Sequence, residues 1–164
     1  MATESKEKLD YEIRNGTILD AMDLKEINEK CLAENYPFDI YFQHLSNWAD
    51  ICFVATVNKK IAGYVMCFME VNAETQKTIG HITSIAVLPE YRNHGIASRL
   101  MVSVLVAMKT HKFQPDVSHL HVRVSNEPAI HIYQDRLRYK KIKKIDGYYD
   151  NPKEDAWMME RQLK

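Results

Sequence analysis

The chain has 164 residues, 46% of them hydrophobic and 27% charged, with only five Gly and five Pro. That is one domain of ordinary globular polypeptide and excludes a disordered or collagen-like chain. Its 22 basic and 22 acidic side chains cancel, leaving no net field to gather nucleic acid or an anionic membrane, so neither is an expected partner.

The longest nearly apolar run, Ile61 to Met69, falls short of the roughly 20 residues a bilayer demands, and Met1 to Asp10 lacks the apolar stretch of a secretory signal. Cys31, Cys52 and Cys67 are odd in number and have no metal-like spacing. The expectation is a cytoplasmic protein with buried thiols and no metal. Residues 1–10 read as a polar tail and 11–164 as one continuous domain.

In chain order, Tyr11 to Arg14 reads as a short strand, and Leu24, Ile27 and Cys31 recur at helical spacing behind the capping candidates Asp20 and Asp23. Ile40 to Trp48 predicts a second helix. Ile51 to Val57 and Ile61 to Val71 predict a hairpin around Asn58-Lys59-Lys60. His81 to Val87 is a fourth strand, and Ile96, Leu100, Met101, Val104, Leu105 and Met108 put one apolar stripe on a long helix beginning near Gly95. Leu120 to Val124 is a fifth strand, Pro128 to Leu137 a fourth helix, and Tyr139 to Ile145 and Ala156 to Leu163 the last strands. This order predicts an α/β fold, with a mixed sheet of about seven strands flanked by four helices.

Chemistry concentrates first at Tyr91-Arg92-Asn93-His94-Gly95-Ile96-Ala97. Lying between a strand and a long helix, it offers free backbone amides and the positive end of a helix dipole to an anion, and Gly95 allows a phosphate close to the main chain. No Walker A or three-glycine dinucleotide pattern is present, so a different phosphate ligand is required.

Gly80-His81-Ile82-Thr83-Ser84-Ile85-Ala86-Val87, Tyr91-Arg92-x-x-Gly95-Ile96-Ala97 and Leu120-His121-Val122-Arg123-Val124-Ser125-Asn126, with Pro128, Ala129, Ile130 and Tyr133, resemble the GNAT acetyltransferase family. Glu34-Asn35-Tyr36 and Gly147-Tyr148-Tyr149, followed by Glu154-Asp155-Ala156, resemble within it the catalytic subunits of NatA-type protein amino-terminal acetyltransferases and their RimI-type relatives. The chain departs from that pattern at Ala33, where proline is usual, at Asn93 and His94, and in a longer tip at Asp150 to Lys153.

The resemblance implies acetyl-CoA as co-substrate. Its pyrophosphate would rest on Arg92, Asn93, His94, Gly95, Ile96 and Ala97, and its pantetheine would run along Ile85, Ala86 and Val87 between splayed strands and reach Asn126. It also implies protein or peptide N-termini, including nascent chains, as substrates, and an auxiliary subunit as a possible partner. Tyr133 matches the tyrosine that protonates the departing thiolate; its other reading is a core aromatic.

Glu34 matches an acidic residue that holds or deprotonates the substrate amine. His81 and His121 are candidates for a water-mediated proton relay, His81 sharing a strand face with Thr83 and Ile85, and His121 with Arg123, by alternation. Leu32, Glu34, Tyr36, Arg123, Tyr148 and Tyr149 would frame the peptide. The remaining histidines, His119 among them, carry no ligand spacing.

An α-amino group titrates near 8 and is roughly one-tenth neutral at pH 7, which asks little of a base. Lysine or polyamine acetylation, and a non-catalytic CoA-binding subunit, are the alternatives carried forward.

Overall fold

The computed structural model describes residues 7–164, so the first six residues of the expected tail lie outside the described residues. Seven strands form one sheet in the order β1-β2-β3-β4-β5-β7-β6. They are β1 (Glu12–Asn15), β2 (Phe53–Val57), β3 (Lys60–Val71), β4 (Thr78–Val87), β5 (Val117–Arg123), β6 (Lys140–Asp150) and β7 (Lys153–Gln162). Among the described residues only β4 and β5 are parallel. That crossover is the one place where a helix, α3 (Ile96–Thr110), must carry the chain across the sheet. The β2–β3 turn is tighter than the three residues expected: Asn58 and Lys59, both at positive φ (48° and 66°), complete it in the manner of two-residue hairpins that match the strand twist.

Helices cover both faces. The six apolar positions read on α3 are all buried, each contributing about 1.5–3 kcal/mol of apolar burial. They pack over Val65, Cys67, Ile82 and Val87. Gly80 on β4 is required by this packing, because a Cβ there would meet the Met108 sulfur at 2.6 Å. On the other face α1 (Ala21–Cys31) and α2 (Phe38–Asn47) bury Leu24, Ile27, Tyr41 and Leu45 against Val54, Tyr64 and Met66.

Three expectations are corrected. Pro128 to Leu137 is not one α-helix but a short α4 (Glu127–His131) that widens into a π-helical turn, Ile132–Arg136, closed by the Leu137 N–H on the Ile132 carbonyl at 3.1 Å. The last hairpin is longer than read, because β6 runs on to Asp150 and β7 starts at Lys153. The alternation assumed for β4 is broken by a bulge. Ile82 pairs with Cys67 and Ser84 with Met66, so Thr83 is an extra residue that inverts the faces beyond it. His81 therefore shares a face with Ser84 and Ala86, not with Ile85.

Candidate active site

Beyond the pairs Ile79–Val117, Gly80–Ser118 and His81–His119, β4 and β5 separate, which leaves one edge of β4 without a strand partner from Ile82 onward. A cleft of about 550 Å³ opens there toward α3 and is lined by Ile85, Ala86, Val87, Arg92, Asn93 and Gly95. Ile96, Ala97, Asn126 and Tyr133 line it too.

Gly95 precedes α3 at φ 80° and ψ 11°, and a Cβ at that position would meet nothing within 4 Å. Open space, a left-handed backbone and the unpaired first amides of a 15-residue helix make an anion cradle. The Arg92 Nε–H donates back to the Val87 carbonyl at 2.8 Å, fixing the loop to the end of β4. His94 is the exception among the expected loop residues, since it does not line the cleft.

A second groove, about 900 Å³, lies on the opposite side of the splay and is walled by Glu34, Tyr36, His81, His121, Tyr148 and Tyr149. Arg123 lines it as well. The two spaces share Cys31, Leu32, Ile85, Asn126 and Tyr133, so a molecule in the cleft and one in the groove meet at Tyr133. Burial pushes the Tyr133 phenol up to about 12, which keeps it protonated. Asn126 caps α4 by accepting the Ala129 N–H at 3.4 Å while it faces both spaces.

The Glu-Asn-Tyr segment owes its position to the two residues that follow the carboxylate. Asn35 donates to the Asn28 side chain at 2.8 Å and to the Leu32 carbonyl at 2.9 Å. Asn28 is fully buried and tied to the Tyr64 hydroxyl at 3.0 Å, while the Tyr36 hydroxyl donates to the Thr83 carbonyl at 3.4 Å. Held from both sides, Glu34 points into the groove and pairs with Arg123.

Arg123 in turn donates to the Pro152 carbonyl at 2.9 Å, reaches Glu154 at 3.4 Å and lies 4.2 Å from the centroid of the Tyr149 ring. One guanidinium thus joins β5, the α1–α2 loop and the β6–β7 tip. Arg123 and Glu34, expected to contact peptide separately, hold each other.

The histidines are closer than their sequence spacing suggested. His81 stacks on Phe68 at 4.7 Å, its Nε2 2.8 Å from Glu70. His119, set aside from sequence, lies beside it at 5.7 Å with Nε2 2.7 Å from Glu160. His121 stacks on Tyr148 at 4.5 Å. Burial lowers the pKa of both His81 and His121 below the usual histidine value, with Glu70 opposing it at His81. The signal that could have found His119 is its i, i+2 relation to His121, which on a strand means one shared face. Ser98, in the first turn of α3, and Arg136 also line the cleft unforeseen.

A splayed mixed sheet, an amide cradle before a long helix and two spaces meeting at one tyrosine define an acyltransferase architecture. Residues 21–137 match the Acetyltransferase (GNAT) family, and the chain belongs to it. It is 38% identical over 160 residues to the N-alpha-acetyltransferase of Saccharolobus solfataricus, covering 94% of each chain. It is 37% identical to the N-terminal acetyltransferase A complex catalytic subunit NAA10 of Arabidopsis thaliana, covering 93% of this chain and 78% of that one. Among solved structures, a chain of the NatC complex bound to Gag peptide and CoA superposes with a TM-score of 0.86 at 24% identity, over 94% of this chain and 99% of that one.

Proposed function

We propose that this protein transfers the acetyl group of acetyl-CoA to the α-amino group of protein N-termini, by direct attack while both substrates are bound, and that it does so in the cytoplasm. The observation that carries the reading is the meeting of the anion cradle's cleft and the carboxylate-lined groove at Tyr133. Kinship with N-alpha-acetyltransferases along nearly the whole chain supports the α-amino substrate.

Acetyl-CoA supplies the activated acyl group as a thioester. The α3 amides and Gly95 hold its pyrophosphate, and the unpaired edge of β4 at Ile85 and Val87 gives its pantetheine a strand to pair with. Tyr133, protonated in its buried position, donates to the sulfur as it leaves. Glu34, fixed by Arg123, accepts from the substrate ammonium with its remaining lone pairs. The proton released from the nitrogen passes to His121 and His81, which burial keeps neutral near pH 7 and so free to accept it. Tyr36, Tyr148 and Tyr149 close around the first residues of the peptide.

The test is a panel of peptides differing at the first two residues, assayed for acetyl transfer with acetyl-CoA. Turnover that depends on a free N-terminus and varies with those residues is expected. Indifference to both contradicts the assignment.

A further inference from the structure

The balanced totals of charge hide a strong local imbalance. Residues 136–144 read Arg-Leu-Arg-Tyr-Lys-Lys-Ile-Lys-Lys, so six of the 22 basic residues fall in nine positions with no acid among them, leaving 16 to set against 22 acidic residues elsewhere. All six are exposed. Lys140, Lys141, Lys143 and Lys144 lie at the start of β6, the outermost strand of the sheet, whose far edge is unpaired; Arg136 and Arg138 precede it, Arg136 at the end of the π-helical turn. Among the described residues only Lys144 has an acidic partner, Asp155 at 3.3 Å. An edge strand needs a lysine or two to resist pairing with another chain; four lysines at the start of one edge are a concentrated positive strip.

We infer that this strip docks the phosphate backbone of single-stranded RNA. Adjacent lysines on a strand point to opposite faces, and Lys140-Lys141 and Lys143-Lys144 therefore place charge on both sides of the free edge, where a flexible polyanion can follow the strand. The strip has no platform for bases: Tyr139 is 2% exposed, and the Trp157 ring lies under the Lys141 ammonium at 4.8 Å. Contact is through phosphates alone, independent of base sequence and steeply dependent on salt.

The same strand continues to Tyr148 and Tyr149, the wall of the groove, so an RNA surface engaged at its start holds the groove at a fixed distance from that surface. RNA as the polyanion rests on the reading that the substrate is a protein N-terminus, since new N-termini emerge from an RNA-rich surface.

The experiment measures binding of a labelled oligouridylate by anisotropy from low to moderate salt. It compares wild type, a variant with Lys140, Lys141, Lys143 and Lys144 all changed to Gln, and a charge-matched control with Lys60, Lys77, Lys109 and Lys112 changed to Gln. Arg136 is left intact because it lines the cleft. With the slope of log K against log salt at about −0.7 per phosphate neutralised, the wild-type slope should approach about −3, and the strip variant should lose nearly all of it. Its affinity should fall at least about tenfold, while the control binds like wild type.

Peptide acetylation without RNA should be the same in all three. Failure of RNA binding would thus be distinct from failure of the acetylation reading. Equal losses in the two variants, no binding by wild type at low salt, or competition by polyglutamate as strong as by unlabelled RNA would each overturn the inference.

Discussion

Replacing Tyr133 with Phe removes one hydroxyl and keeps the ring at the junction of cleft and groove. With a pKa of about 12 from burial, the phenol can only donate near neutral pH. Against a thiolate in water, whose conjugate acid has a pKa of about 8.5, full transfer would run uphill by about 3.5 units, or about 4.8 kcal/mol. The interior of this protein alters the comparison. Burial raises thiols too, as it does the core Cys52, so a thiolate desolvated beside Tyr133 is a stronger base than in water and the uphill gap narrows.

A hydrogen bond to a charged group contributes about 1.5–3 kcal/mol, which is roughly 10- to 150-fold in rate. A charge developing on sulfur in a partly desolvated site places Tyr133→Phe toward the upper end: kcat should fall about 100-fold, and KM should change little. Steady-state release of free thiol measures this, with thermal unfolding as the check on folding. A second donor, a thioester of a more acidic thiol, should shrink the deficit because its leaving group needs no proton. Near wild-type kcat, or the same deficit with both donors, would refute the role and return Tyr133 to packing.

Gly95→Asn and Gly95→Asp both tolerate the left-handed backbone and differ in charge alone. Acetyl-CoA at 100 times its Kd should stabilise wild type by about 2.7 kcal/mol. The Gly95→Asn variant should keep most of that thermal shift and the Gly95→Asp variant should lose it, whereas equal shifts would remove the loop from the site. Glu34→Gln should raise peptide KM or lower kcat about tenfold with acetyl-CoA binding intact. Because Glu34 and Arg123 share one pair, the double variant Glu34→Gln/Arg123→Gln should lose less than the sum of the two single losses, although Arg123 also holds the β6–β7 tip; fully additive losses would contradict the pairing. The pKa values of His44, His81 and His121 are lowered first by burial. The unfolded chain therefore binds more protons than the folded one as pH drops, and the stability they contribute is complete above about 6.5 and lost below it. Tm should fall between about pH 7 and 5, and less steeply in a variant with all three changed to Gln. A flat wild-type curve would contradict the burial argument.

Much of this was legible in the residues because local pattern decided it. The α3 stripe alone marked the buried face, and the Gly95 turn before that helix offered a candidate anion site that an ordinary helix N-cap would equally explain. Glu34, Tyr36, Tyr148 and Tyr149 do come together, though from segments far apart in the chain, and only the family resemblance could join them. What escaped depends on one-residue irregularities and on tertiary pairing. The Thr83 bulge inverts a strand face without any glycine or proline to announce it, and the π-helical turn at Ile132–Arg136 has no periodicity of its own. His119 looked isolated because its neighbours His81 and Glu160 come from other strands, and the Arg123–Glu34 pair spans 89 positions.

The central claim is that the acceptor is an α-amino group, and the most direct measurement compares two peptides of one sequence containing an internal lysine, one with a free N-terminus and one blocked. At pH 7 the neutral fractions of the two amines differ by about 200-fold from their pKa values alone. Mass spectrometry should find the acetyl group on the α-nitrogen of the free peptide, with the blocked peptide slower by at least about 100-fold. Acetylation of the lysine at a comparable or faster rate, with or without the block, would contradict the account.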